Sequence, residues 1–94
     1  MNKIPKEYET HLEIAKAFIL ANGVKNDEES ATKEAEKSVL IYIAGKEYLR
    51  KLVDIALEYG ENPVQMCKKE LMNVSCIASS FVGEILSEKV EKGV

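Results

Sequence analysis

The sequence predicts an all-α fold, a compact bundle of four to five helices forming a single domain over residues 1–94. Apolar residues recur at intervals of three and four along most of the chain, which is the spacing of amphipathic helices. Glycine and proline stand mainly between those segments, where helices end and begin. A chain of 94 residues with 46% apolar content has room for one hydrophobic core. The predicted helices cover about residues 6–22, 27–44, 46–59 and 63–90, and a break near residue 73 would make five.

The first helix is predicted over residues 6–22. Pro5 suits its first turn, because proline has a preset φ and no N–H to leave unpaired. Gly23 ends it, because glycine readily adopts the left-handed conformation that closes a helix. His11 flanks the apolar stripe of this helix, which consists of Tyr8, Leu12, Ala15, Phe18 and Ile19.

The second helix is predicted to begin at a capping box formed by Asn26 and Glu29, with Asp27 and Glu28 also suited to the positive end of a helix. It continues into residues 39–44, which are apolar on every side. Six such residues also suit a buried strand, but no other segment resembles a strand that would pair with them. A helix that is apolar all round is surrounded by others, so this segment is expected at the centre of the bundle.

Gly45 is predicted to break the helical pattern before it resumes over residues 46–59. A single helix from 27 to 59 would be ~50 Å long, which is too long for a compact domain of this size. An unbroken helix would instead imply an elongated dimer.

The last helix is predicted to follow Gly60 and to begin at the N-cap Asn62 and Pro63. Its apolar stripe is the most regular in the chain and consists of Val64, Cys67, Leu71, Val74, Ala78, Phe81 and Ile85. The stripe is broadened by Met72, Ile77, Val82 and Leu86. The small residues Ser75, Ser79 and Gly83 follow one another at intervals of four. Such a stripe predicts that another helix crosses closely there, with a ligand crevice as the alternative.

The charge and the reactive residues argue against an enzyme and against a metal site. The net charge is −3, from 13 basic and 16 acidic residues that are mixed along the chain, so polyanions are not generally attracted. Cys67 and Cys76 are expected to be core thiols, and His11 is too far away in sequence to complete a zinc site with them. The chain has no glycine-rich phosphate loop, no Glu-x-x-His pair and no nucleophile elbow. We therefore expect no catalysis, no metal and no cofactor.

The predicted location is the cytoplasm, without a membrane partner. No segment approaches the roughly 18 apolar residues of a membrane span, and the N-terminus lacks the apolar core of a signal peptide.

Residues 60–86 resemble the helix-turn-helix of many bacterial and archaeal regulators. The resemblance rests on Gly60, the caps at Asn62 and Asn73, the residues Met66 and Cys67, and the inward positions Ile77 and Phe81. It implies DNA binding through Lys68, Lys69, Asn73, Ser75 and Ser79. The chain departs from the motif at Glu70, where a large apolar residue is usual, and at Leu71, where the turn would lie. No basic residue follows Lys69 before Lys89, although DNA binding draws most of its affinity from phosphate contacts.

The favoured function is a non-enzymatic protein–protein interaction module, such as a small adaptor, regulatory or inhibitor protein of the kind that phages and mobile elements carry. A DNA-binding regulator is the alternative. One predicted partner surface consists of Ser75, Ser79, Ser80 and Gly83. The other is the basic cluster Lys46, Arg50 and Lys51, which would meet an acidic partner. The first surface also suits a homodimer, because it is neutral and self-complementary.

Overall fold

The computed structural model describes residues 4–91 and confirms the all-α class. Within those residues a 3-10 turn at Lys6–Tyr8 is followed by three α-helices: α1 (Glu9–Ala21), α2 (Glu28–Glu58) and α3 (Pro63–Glu91). The predicted count of four to five helices is wrong, because the predicted segments 27–44 and 46–59 are one helix.

The described residues divide into two compact units, one ending at Tyr48 and the other beginning at Leu49. Unit 1 contains the 3-10 turn, α1 and the first part of α2. Unit 2 contains the last part of α2 and all of α3.

The predicted helix ends at Gly23 and Gly60 are confirmed. Both glycines have a positive φ, 67° and 68° respectively. After α1 the N–H of Val24 donates to the carbonyl of Ile19 at 3.1 Å. After α2 the N–H of Glu61 donates in the same way to the carbonyl of Ala56 at 2.8 Å. These are the closing hydrogen bonds of the Schellman motif, which needs a left-handed residue that only glycine adopts without strain.

The predicted break at Gly45 is wrong, since α2 continues through it. Gly45 is not among the residues with a positive φ. Glycine inside a helix costs only about 0.5–1 kcal/mol relative to alanine, which is too little to end a helix by itself. Gly23 and Gly60 differ because a new N-cap follows each of them within a few residues, whereas Lys46 and Glu47 favour continued helix.

The N-termini of α2 and α3 are capped by side chains. Asp27 accepts a hydrogen bond from the N–H of Ser30 at 2.9 Å, so the cap lies one residue after the predicted Asn26. Asn62 accepts from the N–H of Gln65 at 3.0 Å, as predicted, and Pro63 is the first residue of α3. Each cap satisfies one of the backbone donors that a helix leaves unpaired at its start.

The core of unit 1 lies between α1 and the start of α2. It consists of Ile19, Ala31 and Ala35, against which Leu12, Ala15 and Leu20 pack. Both alanines are fully buried, which lets the two helices approach closely.

Residues 39–44 are not the centre of a bundle. Val39 is buried, but the side chains of Ile41 and Tyr42 are 64% and 51% exposed. Besides α2 itself, unit 1 contains only α1 and a short 3-10 turn, so only one side of α2 is covered there.

In unit 2, α3 passes through Asn73 without a turn, and its only non-helical backbone angles lie at Ile77 (φ −115°, ψ 15°). The break expected near residue 73 is therefore a local kink four residues later. Ala56 is the one buried apolar residue among the described residues of this unit. The inner side of α3 is marked by its half-buried residues, which are Pro63, Met66, Cys67, Glu70, Val74 and Ala78.

Candidate interaction surface

One side of α3 presents large apolar side chains to solvent. We call this side the open face and define it by Met72, Ser75, Ser79, Val82 and Leu86. The side chains of Met72, Val82 and Leu86 are 70%, 53% and 57% exposed. At about 100° of rotation per residue, Met72 and Ser75 share one side of the helix before the kink at Ile77, and Ser79, Val82 and Leu86 share one side after it. The sequence predicted this widening of the apolar stripe but placed it inside a bundle.

The structure leaves the predicted small-residue stripe uncovered. Ser75, Ser79 and Gly83 are exposed, and a Cβ added at Gly83 would meet no heavy atom within 4 Å. Within unit 2, no other helix crosses this stripe closely. Ser75 and Ser79 belong to the open face, Gly83 lies at its edge, and Ser80 points to another side of the helix. Of the four predicted residues, the structure thus brings together three.

The opposite side of α3 is acidic. Glu84, Glu88 and Glu91 line a shallow depression there together with Gly83 and Ser87. The five residues of the open face carry no charge. Exposed apolar residues also occur elsewhere on α3, at Ile77, Phe81 and Ile85. The open face combines exposed apolar side chains with the absence of charge, which is the pattern of a helix side that is buried against a partner.

The predicted basic cluster is less concentrated than the open face. Lys46, Arg50 and Lys51 are all exposed on α2. The boundary between the two units falls between Lys46 and the other two residues. Unit 2 by itself therefore offers two of the three cations.

Four of the residues predicted to contact DNA, Lys68, Lys69, Asn73 and Ser75, lie on one stretch of helix, and the fifth, Ser79, follows the kink at Ile77. Lys68, Lys69 and Asn73 precede the kink at Ile77, and no turn separates them from Ser75. A helix-turn-helix needs two helices crossing at a turn, with the second one entering the major groove. That arrangement is not formed in residues 60–86, so the resemblance to the motif does not extend to its geometry.

The titratable groups with shifted pKa values are structural. The ammonium of Lys16 on α1 lies 2.7 Å from the carboxylate of Glu28 on α2. Their hydrogen bond lowers the pKa of Glu28 and raises the pKa of Lys16. The pKa of Asp27 is lowered by the N–H of Ser30, which it caps. These shifts come from a surface ion pair between two helices and from a helix cap, and neither lies in a cleft.

Sequence reasoning missed a second apolar surface, in unit 1. A groove of about 510 Å³ is lined by His11, Ile14, Ala15, Phe18, Ile19, Val24, Glu34 and Ser38. Ile14 and Phe18 are each 65% exposed, so placing Phe18 in the inward stripe was wrong. The signal was the i, i+4 pair Ile14 and Phe18, which makes the apolar arc of α1 wider than one neighbouring helix covers.

His11 takes part in an aromatic cluster beside this groove. Its ring centroid lies 5.1 Å from that of Tyr8 and 5.8 Å from that of Tyr42. The Tyr8 and Tyr42 centroids are 6.2 Å apart with an edge-on arrangement. The cluster joins the start of α1 to α2 through ring contacts.

The thiols do not form a common site. Cys67 is half-buried, whereas Cys76 is exposed, so the expectation of two core cysteines is wrong for Cys76. Within residues 4–91, no group of three or more His, Cys, Asp or Glu side chains is arranged to hold a metal ion. No helix in this part of the chain has the length and apolar character needed to cross a membrane.

Comparison of the chain with protein-family models, curated proteins and solved structures finds no match.

Proposed function

We propose that the protein is a non-enzymatic protein–protein interaction module, a small adaptor, regulatory or inhibitor protein that binds its partner through the open face of α3. The observation that carries this proposal is the exposure of Met72, Val82 and Leu86 along one uncharged side of a helix. Contiguous exposed apolar surface of this kind marks interaction sites in soluble proteins.

The apolar side chains of this surface supply a favourable but partial contribution to binding, because association itself costs about 4–15 kcal/mol. Burying an aliphatic side chain completely contributes about 1.5–3 kcal/mol. Since the three large residues of the open face are 53–70% exposed, covering them adds about 1 kcal/mol each. The total of about 3 kcal/mol corresponds to roughly a hundredfold in Kd. Ser75 and Ser79 between them let a partner helix come close, which adds packing contacts.

The electrostatics support a binding role over catalysis. Catalytic groups are usually found in a cleft, with a pKa shifted by burial or by a specific neighbour. Among the described residues, the groups with shifted pKa values are Lys16 and Glu28, which form an ion pair between α1 and α2, and Asp27, which caps the start of α2. The open face itself contains no titratable side chain.

The proposal is tested by capturing partners from cells that express the protein, using the wild type and two variants of α3. Leu86→Glu places a charge on the open face, and Ser87→Glu places the same charge about 100° around the helix. We expect a protein recovered with the wild type to be retained by Ser87→Glu and lost with Leu86→Glu. Equal recovery with both variants would show that the open face is not the binding surface. Turnover of a metabolite by the purified chain would contradict a non-enzymatic role.

A further inference from the structure

The open face has the spacing of a seam between two helices. From Met72 to Leu86 its residues alternate at intervals of three and four. This repeat, 3.5 residues on average, keeps a stripe facing one partner helix. The kink at Ile77 divides the stripe into a segment that ends at Ser75 and one that begins at Ser79, and the repeat holds within each segment. The positions that continue the seam in each direction are Lys68, four residues before Met72, and Lys89, three residues after Leu86.

Resting on the proposed function, we infer that the partner at the open face is the open face of a second copy of this chain, with the two α3 helices antiparallel. In one register Met72 of each copy packs beside Val82 of the other, and Ser75 packs beside Ser79. Both pairs are centred on residue 77, so one two-fold axis through Ile77 satisfies them together.

Side-chain size supports this register. The two serines form the middle of the seam, and the larger residues Met72, Val82 and Leu86 stand on either side of them. Antiparallel pairing about residue 77 sets serine against serine, which lets the backbones approach closely. It also sets the longer Met72 side chain against the shorter Val82 side chain, so that the two together fill the space between the helices at that layer.

Charge selects the antiparallel orientation. In a parallel pair the two Lys68 ammonium groups would face each other across the seam, and so would the two Lys89 groups. In the antiparallel register Lys68 lies beside Leu86 of the other copy, and Lys89 lies beside Gln65. The stem of Lys68 then covers apolar surface while its charge stays in water.

The two halves of α3 also carry opposite net charge. Before residue 77, Lys68 and Lys69 outweigh Glu70, which gives two minus one, or +1. After it, three glutamates outweigh Lys89, which gives one minus three, or −2. An antiparallel pair places unlike halves together, and a parallel pair places like halves together. Because those glutamates lie away from the seam, this effect sets orientation more than affinity.

The area available fits a reversible dimer. Full burial of an aliphatic side chain corresponds to about 60–120 Å² at ~25 cal/mol per Å². Covering the exposed parts of the open face together with Leu71 and Val90 therefore buries roughly 180–360 Å² of apolar side chain per copy. The serines and the Lys68 stem add to this, which brings the interface to the low end of specific association, below about 600 Å² per partner. We expect a dimer at ~100 μM that dissociates on dilution to ~1 μM.

Disulfide cross-linking tests the register. In a background with Cys67→Ala and Cys76→Ser, one preparation carries Met72→Cys and a second carries Val82→Cys. Under mild oxidation we expect a cross-linked dimer only when the two preparations are mixed. A disulfide needs Cα atoms about 4.4–6.8 Å apart. In the antiparallel register, two copies of the same position lie ten residues apart, or ~15 Å along the axis, so neither preparation should cross-link alone.

The other outcomes separate this inference from the proposed function. If the Met72→Cys and Val82→Cys preparations each cross-linked alone, and mixing them produced no further cross-linked dimer, the pair would be parallel and the inference would be overturned. Sedimentation of the unmodified chain as a monomer at ~100 μM would overturn it as well. If the monomeric chain still captured another protein that Leu86→Glu lost, the proposed function would stand and the second copy would be excluded. A matched mixture of Ser87→Cys with Met72→Cys should not cross-link, because Ser87 lies away from the seam.

Discussion

Replacing Gly45 by alanine should stabilise the protein. Gly45 lies inside α2 without a positive φ, and a Cβ at this position meets no heavy atom within 4 Å. The substitution therefore introduces neither backbone strain nor a steric clash. It removes the conformational freedom that glycine has in the unfolded chain, which stabilises an interior helical position by about 0.5–1 kcal/mol. For a chain of this size the thermal midpoint should rise by roughly 2–8 °C.

The assay is thermal unfolding followed by circular dichroism at 222 nm, with wild type and variant at the same protein concentration, because association shifts the midpoint. Gly60→Ala is the matched control. The same methyl group is added there at a residue with φ of 68°, where a left-handed alanine costs about 1–2 kcal/mol, so the midpoint should fall.

A fall in the midpoint with Gly45→Ala, similar to that of the control, would refute the continuous helix. It would mean that Gly45 adopts a left-handed conformation and closes a helix, as Gly23 and Gly60 do. The two separate helices predicted over residues 27–44 and 46–59 would then replace the single helix α2.

Three further predictions concern the ion pair, a helix cap and the DNA-binding alternative. The Lys16–Glu28 pair should stabilise unit 1 over a broad range of pH. The lowered pKa of Glu28 means that its contribution is complete above its ordinary value of 4.5 and is lost as the pH falls through the lowered value. The raised pKa of Lys16 means that its contribution is complete below its ordinary value of 10.5 and is lost as the pH rises through the raised value. In urea unfolding at pH 7, the wild type should therefore have a larger free energy of unfolding than Glu28→Gln. This difference should disappear at a pH below the folded pKa of Glu28. The same difference at pH 7 and at the low pH would show that the ion pair does not contribute. Asn62→Ala should cost about 1 kcal/mol, because it leaves the N–H of Gln65 without its acceptor at the start of α3, and Asn62→Asp should retain most of the stability. In a gel shift with random duplex at low salt we expect no binding below ~100 μM, since non-specific DNA binders reach about 10⁻⁴ to 10⁻⁶ M at physiological salt; a shifted band at lower concentration would restore the DNA-binding alternative.

The helix boundaries were the most predictable part of the fold, because they depend on a few neighbouring residues. Gly23 and Gly60 end helices as expected, and Asn62 with Pro63 begins one. Each of these signals is a local backbone requirement, either a left-handed residue or a side-chain acceptor for an unpaired N–H. Even the misplaced cap, Asp27 in place of Asn26, lies within one residue of the prediction.

The break at Gly45 was predicted wrongly because its argument was not local. It assumed that 94 residues form one compact bundle and that a long helix does not fit such a bundle. The local evidence pointed the other way, since Lys46 and Glu47 favour helix and no new N-cap follows Gly45. A rule that requires both a glycine and a following N-cap separates Gly45 from Gly23 and Gly60.

The candidate site could be predicted only in part. The small residues Ser75 and Ser79 were identified as a contact surface, and they belong to the open face. Met72, Val82 and Leu86 were assigned to the interior, because periodicity reports which residues share a side of a helix and not what covers that side. The groove beside Phe18 in unit 1 was missed for the same reason.

The sequence by itself determined that the chain is helical, where α1 ends, where α3 begins, and which residues share each side of a helix. These properties follow from backbone conformation and from a repeat of 3.6 residues, and both are local. Only the tertiary structure decided that Ile41 and Tyr42 are not a bundle centre and that Met72, Val82 and Leu86 are exposed. Burial depends on which helices are neighbours in space, and that choice is made by contacts between residues far apart in the chain.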